Sequence, residues 1–584
     1  MHSLAVPAAR NDDVTVNPSW RIPTWLAWTG ALAIALTYFG MLGRFPLGEP
    51  DEPRYAEIGR EMLELHDWVT PHLNYVKYFE KPPLIYWLTA LNLRCLGLHE
   101  FAVRLWPAVF GVLTIVIAYA LGRSMYGRRV GSVAAAVLAT TPLHFGLSQS
   151  VILDMPLSAL MAIALGSFWF AYDAGSKPEG GRRRRLCVLL LYTATGLAVL
   201  TKGPVAVVLT AGIIVAFLLV SWDLSALRWL LSPLGIVIFL AITLPWFVLV
   251  SRRNPEFLEF FFVDQHLKRF LSPDEHQQPV WFFVPIVLAG LLPWSAMVLF
   301  APGMVGRLLW RVLTRRSSAA ATFCLLWTLV VFTFFSLSAS KLGTYVLPLC
   351  CPAAILIARF LHQLIAQQQA APLRRGCVVL LVLAAATMLG ALVTGEVVDQ
   401  WQAVVIVPYL WIGSAVLAGF TILALLFVRR GALPASLATV VLGMLALFVV
   451  AGGGRAAAFE FRPLGMAIRA QARPQDLVIN YRHYVQGITY YTQRRAVSVR
   501  GWGELDFGSR QGDQRAFFWK TDAELLQAWA SSRRLFLVIN RVELDPLRPL
   551  LHPAPREIAG YGKKVVVVNF PPGNAPRSTV GSAQ

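Results

Sequence analysis

The chain has 584 residues, of which 56% are hydrophobic and 14% charged. A soluble domain carries about 25% charged residues, so the composition excludes an ordinary soluble enzyme and points to a protein embedded in a membrane. The formal charge of +20 reads as arginine and lysine gathered in cytoplasmic loops, not as nucleic-acid binding.

Residues 1–21 are polar and include acids, unlike a cleaved signal, so the first apolar run is expected to be retained. A spanning helix needs about 20 apolar residues. About thirteen runs approach that length: 22–42, 101–122, 130–148, 155–174, 186–201, 203–221, 229–250, 281–300, 319–338, 343–362, 376–393, 405–428 and 432–451. With Arg10 and Arg21 inside, alternate crossings put several basic groups on that same side. These are Arg123/Arg128/Arg129, Lys177 with Arg182 to Arg185, Arg228, Arg307/Arg311/Arg315/Arg316, Arg374/Arg375 and Arg429/Arg430. An odd number of crossings then leaves the C-terminus outside.

The stretch AGGGR, 451–455, reads as a hinge that closes a membrane domain of residues 1–455. Beyond it, DLVIN, AVSVR, RLFLVIN and KKVVVVNF are short β-branched runs typical of strands. TDAELLQAWASSRR reads as a helix with Thr521 or Asp522 as N-cap. Residues 456–584 are therefore expected to form an α/β domain outside the membrane. The six cysteines show neither metal-ligand spacing nor a disulfide framework.

Two outer loops, 43–100 and 251–280, are too long for simple connections. The first opens with GEPDEPRYAEIGREML, 48–63. Asp51 reads either as the N-cap of a helix starting at Glu52 and Pro53 or as a site carboxylate. Tyr55, Ile58, Met62 and Leu65 share one helical face, which suggests a helix on the membrane surface. Glu52 reads as solvated, and Arg54 and Arg60 as partners for nearby acids. In YVKYFEKPPLIYWLTALNLRCLG, 75–97, Lys81 precedes two prolines and is expected to be extended. It is either a snorkelling lysine or a cation for a lipid phosphate. Asp154, in VILDMPL, is a helix cap or an intramembrane functional acid. Lys202, Arg252, Arg253, Lys268, Arg269 and Lys341 lie outside against the usual bias, which suggests an anionic ligand. Glu80 and His266 are ligand types for a divalent ion, Zn or Mg, although two residues do not make a site. Tyr55, Tyr78 and Tyr345 suit a sugar pocket.

Taken together, GEPDEPRYAEIGREML, DWVTPHLNYVKYFEKPPLIYWLTAL, FAVRLWP, SQSVILDMPL (148–157), LTKGPV (200–205), FFVDQHLKRFLSPDEHQQPVWFF (261–283) and FSLSASKLGTYVLPLCCP (335–352) resemble the multi-span glycosyltransferases that use lipid-linked sugars. The resemblance is to the aminoarabinose transferase family in particular, and more distantly to protein O-mannosyltransferases. It covers most of the first 360 residues. It implies a polytopic α-helical membrane protein of the GT-C type in a bacterial inner membrane, with its site and terminal domain facing the periplasm. It further implies transfer of 4-amino-4-deoxy-L-arabinose from undecaprenyl phosphate to lipid A by an inverting displacement. Asp51 and Asp154 are the implied catalytic acids. Lys81, Lys202, Arg252 and Arg54 are the candidate contacts to the donor phosphate, and Glu52, Tyr55, Tyr78, Tyr345 and Lys341 the candidate pocket residues. A monomer needing no cofactor is expected, with a divalent ion at Glu80 and His266 left open. Transfer of another sugar to lipid or protein is the alternative within this chemistry. A lipid flippase is the alternative outside it.

Overall fold

The computed structural model describes residues 23–174, 181–268, 277–397, 400–458 and 461–569. Each apolar run of the sequence meets helical structure. Among the described residues, nine helices are long and apolar enough to cross a membrane. A tenth span arises if the pair Arg128–Ala139 and Pro142–Ser148, bent by 64°, counts as one. The helices Thr24–Phe39, Val205–Ser221 and Val280–Gly290 are apolar but shorter, so a count of thirteen is not reached on length. The shortening has local causes. Pro142 cannot supply an N–H to continue the preceding helix, and Pro293 divides Phe283–Gly290 from Trp294–Val298.

The expected hinge is helical. Leu433–Ala458 runs through Gly452, Gly453 and Gly454 without a break. A Cβ at Gly452 would collide with Met41, and one at Gly453 with the Tyr409 ring. These glycines serve close helix approach rather than flexibility.

The terminal domain is a six-stranded sheet in the order β5-β4-β3-β6-β8-β7. The strands are β3 Leu477–Tyr481, β4 Ala496–Val499, β5 Phe518–Trp519, β6 Leu535–Asn540, β7 Arg556–Tyr561 and β8 Lys564–Val568. The first four in that order are parallel, and β8 and β7 are antiparallel. Both faces are covered, which is why these strands read as continuous apolar runs. Ile479, Val497 and Leu537 pack with Trp529 on one face, and Val478, Phe536 and Val566 with Leu464 and Ile468 on the other. Thr521 caps its helix in a capping box with Glu524, as its sequence predicts.

The helix Asp51–Glu64, expected to lay one face on a membrane surface, is covered by protein on both sides. It is clasped between the helix Leu84–Leu96 and the terminal-domain helix Gln486–Thr492. Tyr55, Ile58 and Met62 are buried as the pattern requires, whereas Leu65, just past the helix end, is exposed; Glu57, Arg60 and Glu61 on the other side are buried as well. Those polar groups face a second protein surface and are paired there or within the helix. Arg60 takes Glu57 through two nitrogens, at 2.7 and 2.8 Å. The short hairpin of β1 (His72–Leu73) and β2 (Val76–Lys77) carries Asn74 at its turn. Its side chain bonds both backbone groups of Ala496, at 2.9 and 2.8 Å, as a neighbouring strand would. The loop after the first apolar helix is thus stitched to the sheet.

Candidate functional site

Asp51 is the first residue of its helix, after Pro50, and makes no capping bond. Its carboxylate accepts instead from Arg54 Nη1 at 2.9 Å, and its side chain is 43% exposed. Arg54 Nε pairs with Glu504 of the terminal domain, and Glu504 Oε1 accepts from Gln486 Nε2 at 2.6 Å. Three residues before Arg54 in the structure's chain stands Asp51, so one guanidinium bridges a membrane-domain acid and a terminal-domain acid. Burial pushes the Glu504 carboxyl up to about 7, against the lowering influence of Arg54. Glu49, whose carboxylate accepts from the Gly487 N–H, is likewise pushed up to about 7 by burial.

The second half of the site lies at the ends of two packed helices. Asp154 opens the helix Asp154–Ala174, and Lys202 ends the helix Gly181–Lys202. These helices pack along each other, so the connection brings the acid and the ammonium to the same end. Each helix dipole also favours the charge it carries there. Lys202 Nζ donates to Asp154 Oδ1 at 2.6 Å and Thr344 Oγ1 donates to Oδ2 at 3.1 Å. The Lys202 ammonium stands 4.3 Å from the centroid of the Tyr345 ring. Asp154 is 4% exposed, so this is a nearly dry ion pair.

Tyr55 joins the two halves. Its hydroxyl lies within the field of Arg54, Asp51, Glu80 and Asp154, and burial is the main cause holding its ionisation above the usual range. Tyr78 is buried beside them and raised by burial, with Glu80, Arg54 and Glu504 as its charged neighbours. Tyr55 stacks on Tyr86 at 5.9 Å. Lys81, half-buried, donates to the Glu80 carbonyl at 3.0 Å. The structure therefore brings together Asp51, Arg54, Tyr55, Tyr78, Glu80, Asp154, Lys202 and Tyr345, with Lys81 on the residue next to Glu80.

Three expected members stand elsewhere. Glu52 is neither solvated nor in the pocket: it is 1% exposed and takes Arg104 through two nitrogens, both at 2.8 Å. One residue on a helix is a turn of about 100°, which aims Glu52 into the bundle while Asp51 looks out. Lys341 is 4% exposed and donates to the Gln278 carbonyl at 2.8 Å, tying two connecting segments together. Arg252 is exposed on the last turn of Pro233–Arg253, and among the described residues no hydrogen bond or ion pair joins it to the cluster. His266 falls in the π-helix Glu259–Lys268, but its side chain lies outside the described residues, as does Arg269. Glu80 is in the cluster. Among the described residues no group of three His, Cys, Asp or Glu side chains is placed to hold a metal ion. The sequence reading missed Glu504, Thr344 and Gln486. Nothing local distinguishes them, since they gain their place only through the fold.

Residues 31–261 match the family model of dolichyl-phosphate-mannose-protein mannosyltransferases, and residues 464–569 match that of the aminoarabinose transferase C-terminal domain. An undecaprenyl phosphate-α-4-amino-4-deoxy-L-arabinose arabinosyl transferase of Photorhabdus laumondii is 34% identical over 338 residues, 57% of this chain and 59% of the relative. A Pseudomonas aeruginosa relative of the same name is 36% identical over 57% of this chain and 59% of its own length. The match thus spans less than two thirds of these relatives. That of Serratia proteamaculans, also so named, is 30% identical over 70% of this chain and 72% of its own length. The crystal structure of ArnT from Cupriavidus metallidurans bound to undecaprenyl phosphate superposes with a TM-score of 0.83 at 28% identity, covering 95% of this chain and 100% of that one. An Archaeoglobus fulgidus oligosaccharyltransferase, 13% identical with a TM-score of 0.52, shares the fold alone. The extent of these matches, with one model on the bundle and another on the sheet domain, shows that the chain belongs to the aminoarabinose transferase family of GT-C glycosyltransferases.

Proposed function

We propose that this protein transfers 4-amino-4-deoxy-L-arabinose from undecaprenyl phosphate to a phosphate of lipid A, at the periplasmic face of a bacterial inner membrane. The relatives' names and the undecaprenyl phosphate bound to the Cupriavidus protein support the donor. The observation that carries the reading is the meeting of Asp51 with Arg54, and of Asp154 with Lys202, around Tyr55. The acceptor phosphate, with a second pKa of about 6, is largely ionised near neutrality and needs no strong base. Its oxygen forms the new bond to the anomeric carbon. The bond from that carbon to the undecaprenyl phosphate oxygen breaks, the electron pair leaves with the lipid phosphate, and configuration inverts.

Lys202 and Lys81 are the cations that stabilise the departing charge in a partly dry site. Asp154 and the Tyr345 ring fix the Lys202 ammonium, so little reorganisation is needed during reaction. Asp51 keeps an exposed edge beyond its bond to Arg54, which suits the ammonium of the sugar, and Tyr55 and Tyr78 supply ring faces. No step here passes through a divalent ion at Glu80 and His266, since the His266 side chain lies outside the described residues. Purified protein incubated with labelled donor and detergent-solubilised lipid A tests the reading. Labelled lipid A formed without any bilayer is the expected result. Bilayer-dependent movement of donor with no product would overturn it in favour of a flippase.

A further inference from the structure

One short stretch of the terminal domain grips the first outer loop at two points. At the polar point, Glu504 pairs with Arg54, and Glu80 is among the charges its carboxyl faces. At the apolar point, the Phe507 ring stands 5.7 Å from the Phe79 ring, edge to face at 61°. Phe79 is 1% exposed and also meets Phe257 of the second outer loop edge to face, at 5.3 Å. Phe507 in turn stands 4.0 Å from Phe260. Aromatic pairs at such distances are favourable beyond the area they bury. The same apolar cluster takes in Leu200, on the last turn of the helix that ends at Lys202. The approach is close: a Cβ on Gly508 would stand 2.5 Å from the Lys77 carbonyl oxygen of β2.

Between the two points runs the segment from Tyr78 to Lys81, which is neither helix nor strand. Its first N–H, on Tyr78, donates to the Pro71 carbonyl at 2.9 Å. Its last residue, Lys81, precedes Pro82 and is restricted by it. The Tyr78 hydroxyl lies in the field of Glu80 and Arg54, while the Phe79 ring between them enters the aromatic cluster. That is the alternation of an extended chain. Phe79 thus anchors from behind the backbone that presents Tyr78, Glu80 and Lys81. A lysine misplaced by about 1 Å loses much of its value to a phosphate. We propose that Phe507 is a positioning residue for donor binding: by seating Phe79, it holds Lys81 where the lipid phosphate of the donor lies. The inference rests on the reading that Lys81 meets that phosphate.

The test is the Kd of undecaprenyl phosphate for the purified full-length protein. The variants are Phe507→Ala, Phe507→Leu, Phe507→Tyr, Lys81→Ala and the double variant Phe507→Ala/Lys81→Ala. Phe507 is half-buried, so its truncation is expected to leave the fold intact, with a thermal midpoint near wild type. Phe507→Ala is expected to raise Kd roughly fivefold, the scale of a slightly misplaced charge. Phe507→Tyr keeps the ring and is expected to bind as wild type does. Phe507→Leu keeps apolar bulk without the ring and is expected to fall between, and it carries the comparison if Phe507→Ala does not fold. Lys81→Ala is expected to raise Kd roughly tenfold or more. Adding Phe507→Ala to Lys81→Ala is expected to cost nothing further, because a residue that acts through Lys81 has no effect once Lys81 is gone. An unchanged Kd in both Phe507→Ala and Phe507→Leu overturns the inference. So does an undiminished further loss in the double variant, which would mark a general loosening of the domain contact. If Lys81→Ala binds as wild type while Phe507→Ala does not, the phosphate reading of Lys81 falls, and Phe507 acts on the donor by another route.

Discussion

Asp51 and Asp154 are held in opposite ways. Both oxygens of Asp154 are bonded, to Lys202 and Thr344, entirely within the helical bundle. Asp51 is 43% exposed, and its partner Arg54 is shared with Glu504 from the terminal domain. The bundle alone fixes one half of the site, while the other half is complete only when a second domain sits on the Asp51 helix. That difference makes a chemical task for the terminal domain open to test.

Asp154→Ala tests the first half and carries the largest expected effect. It leaves the Lys202 ammonium, 13% exposed, without its counter-charge. Breaking such a buried pair costs about 3–5 kcal/mol, which thermal unfolding would register as a markedly lower midpoint. Asp51→Ala removes a half-exposed pair and leaves Arg54 its bond to Glu504, a loss on the scale of about 0.2–1 kcal/mol, and its midpoint is expected to stay near wild type. Both variants are expected to lose transfer by roughly 10²–10³-fold, the scale of losing one charge-stabilising group. Equal thermal losses would erase the contrast between the two acids.

Asn74→Ala tests the second half without touching a site residue. The substitution leaves the N–H and C=O of Ala496 buried and unpaired, at a cost of about 1–3 kcal/mol for each group left unsatisfied. Limited proteolysis is expected to cut the terminal domain sooner while the helical bundle resists as before. Transfer is expected to fall several-fold, because Glu504 then holds Arg54 for less of the time. Faster cleavage with full activity would show that docking and catalysis are separable.

Much of the bundle was legible because burial in a membrane makes charge expensive. An aspartate between two apolar runs, such as Asp154, or a lysine ending one, such as Lys202, announces itself. The terminal sheet was legible from β-branched runs bounded by turn residues. What escaped depended on partners distant in sequence. Glu52 looks like Asp51 on paper, and only Arg104, 52 positions away, sends it to a structural pair. Glu504 sits in a stretch of soluble character where one more glutamate carries no signal. Gly452 to Gly454 read as a hinge because glycine permits both flexibility and close approach, and sequence does not say which is used. Asp51, favoured at either an N-cap or an active site, is the first helical residue after Pro50 and accepts from Arg54, a pairing that its own stretch of sequence did not distinguish from a cap.

The smallest expected effect is the most diagnostic of the shared arginine. Glu504 and Glu49 ionise near 7 in the folded protein, against about 4.5 for an ordinary glutamate. Unfolded chains release these protons near 4.5, whereas the folded interface keeps them until about 7. Folded stability from this pair is therefore greatest below about 4.5, falls as pH rises toward 7, and is level above that. Thermal midpoints taken across that window should show the decline, and Glu504→Gln should remove one group's share of it. Transfer should move the other way. Above about 7 an ionised Glu504 holds Arg54 firmly and orients Asp51, whereas below it a neutral carboxyl holds less well. Glu504→Gln imitates the neutral state at every pH. Its rate is expected to be reduced about two- to fivefold above pH 7, a loss of charge assistance in one hydrogen bond, and to match wild type at lower pH. A constant deficit across the whole pH range would mean that Glu504 acts through packing, and that its charge plays no part in setting Asp51.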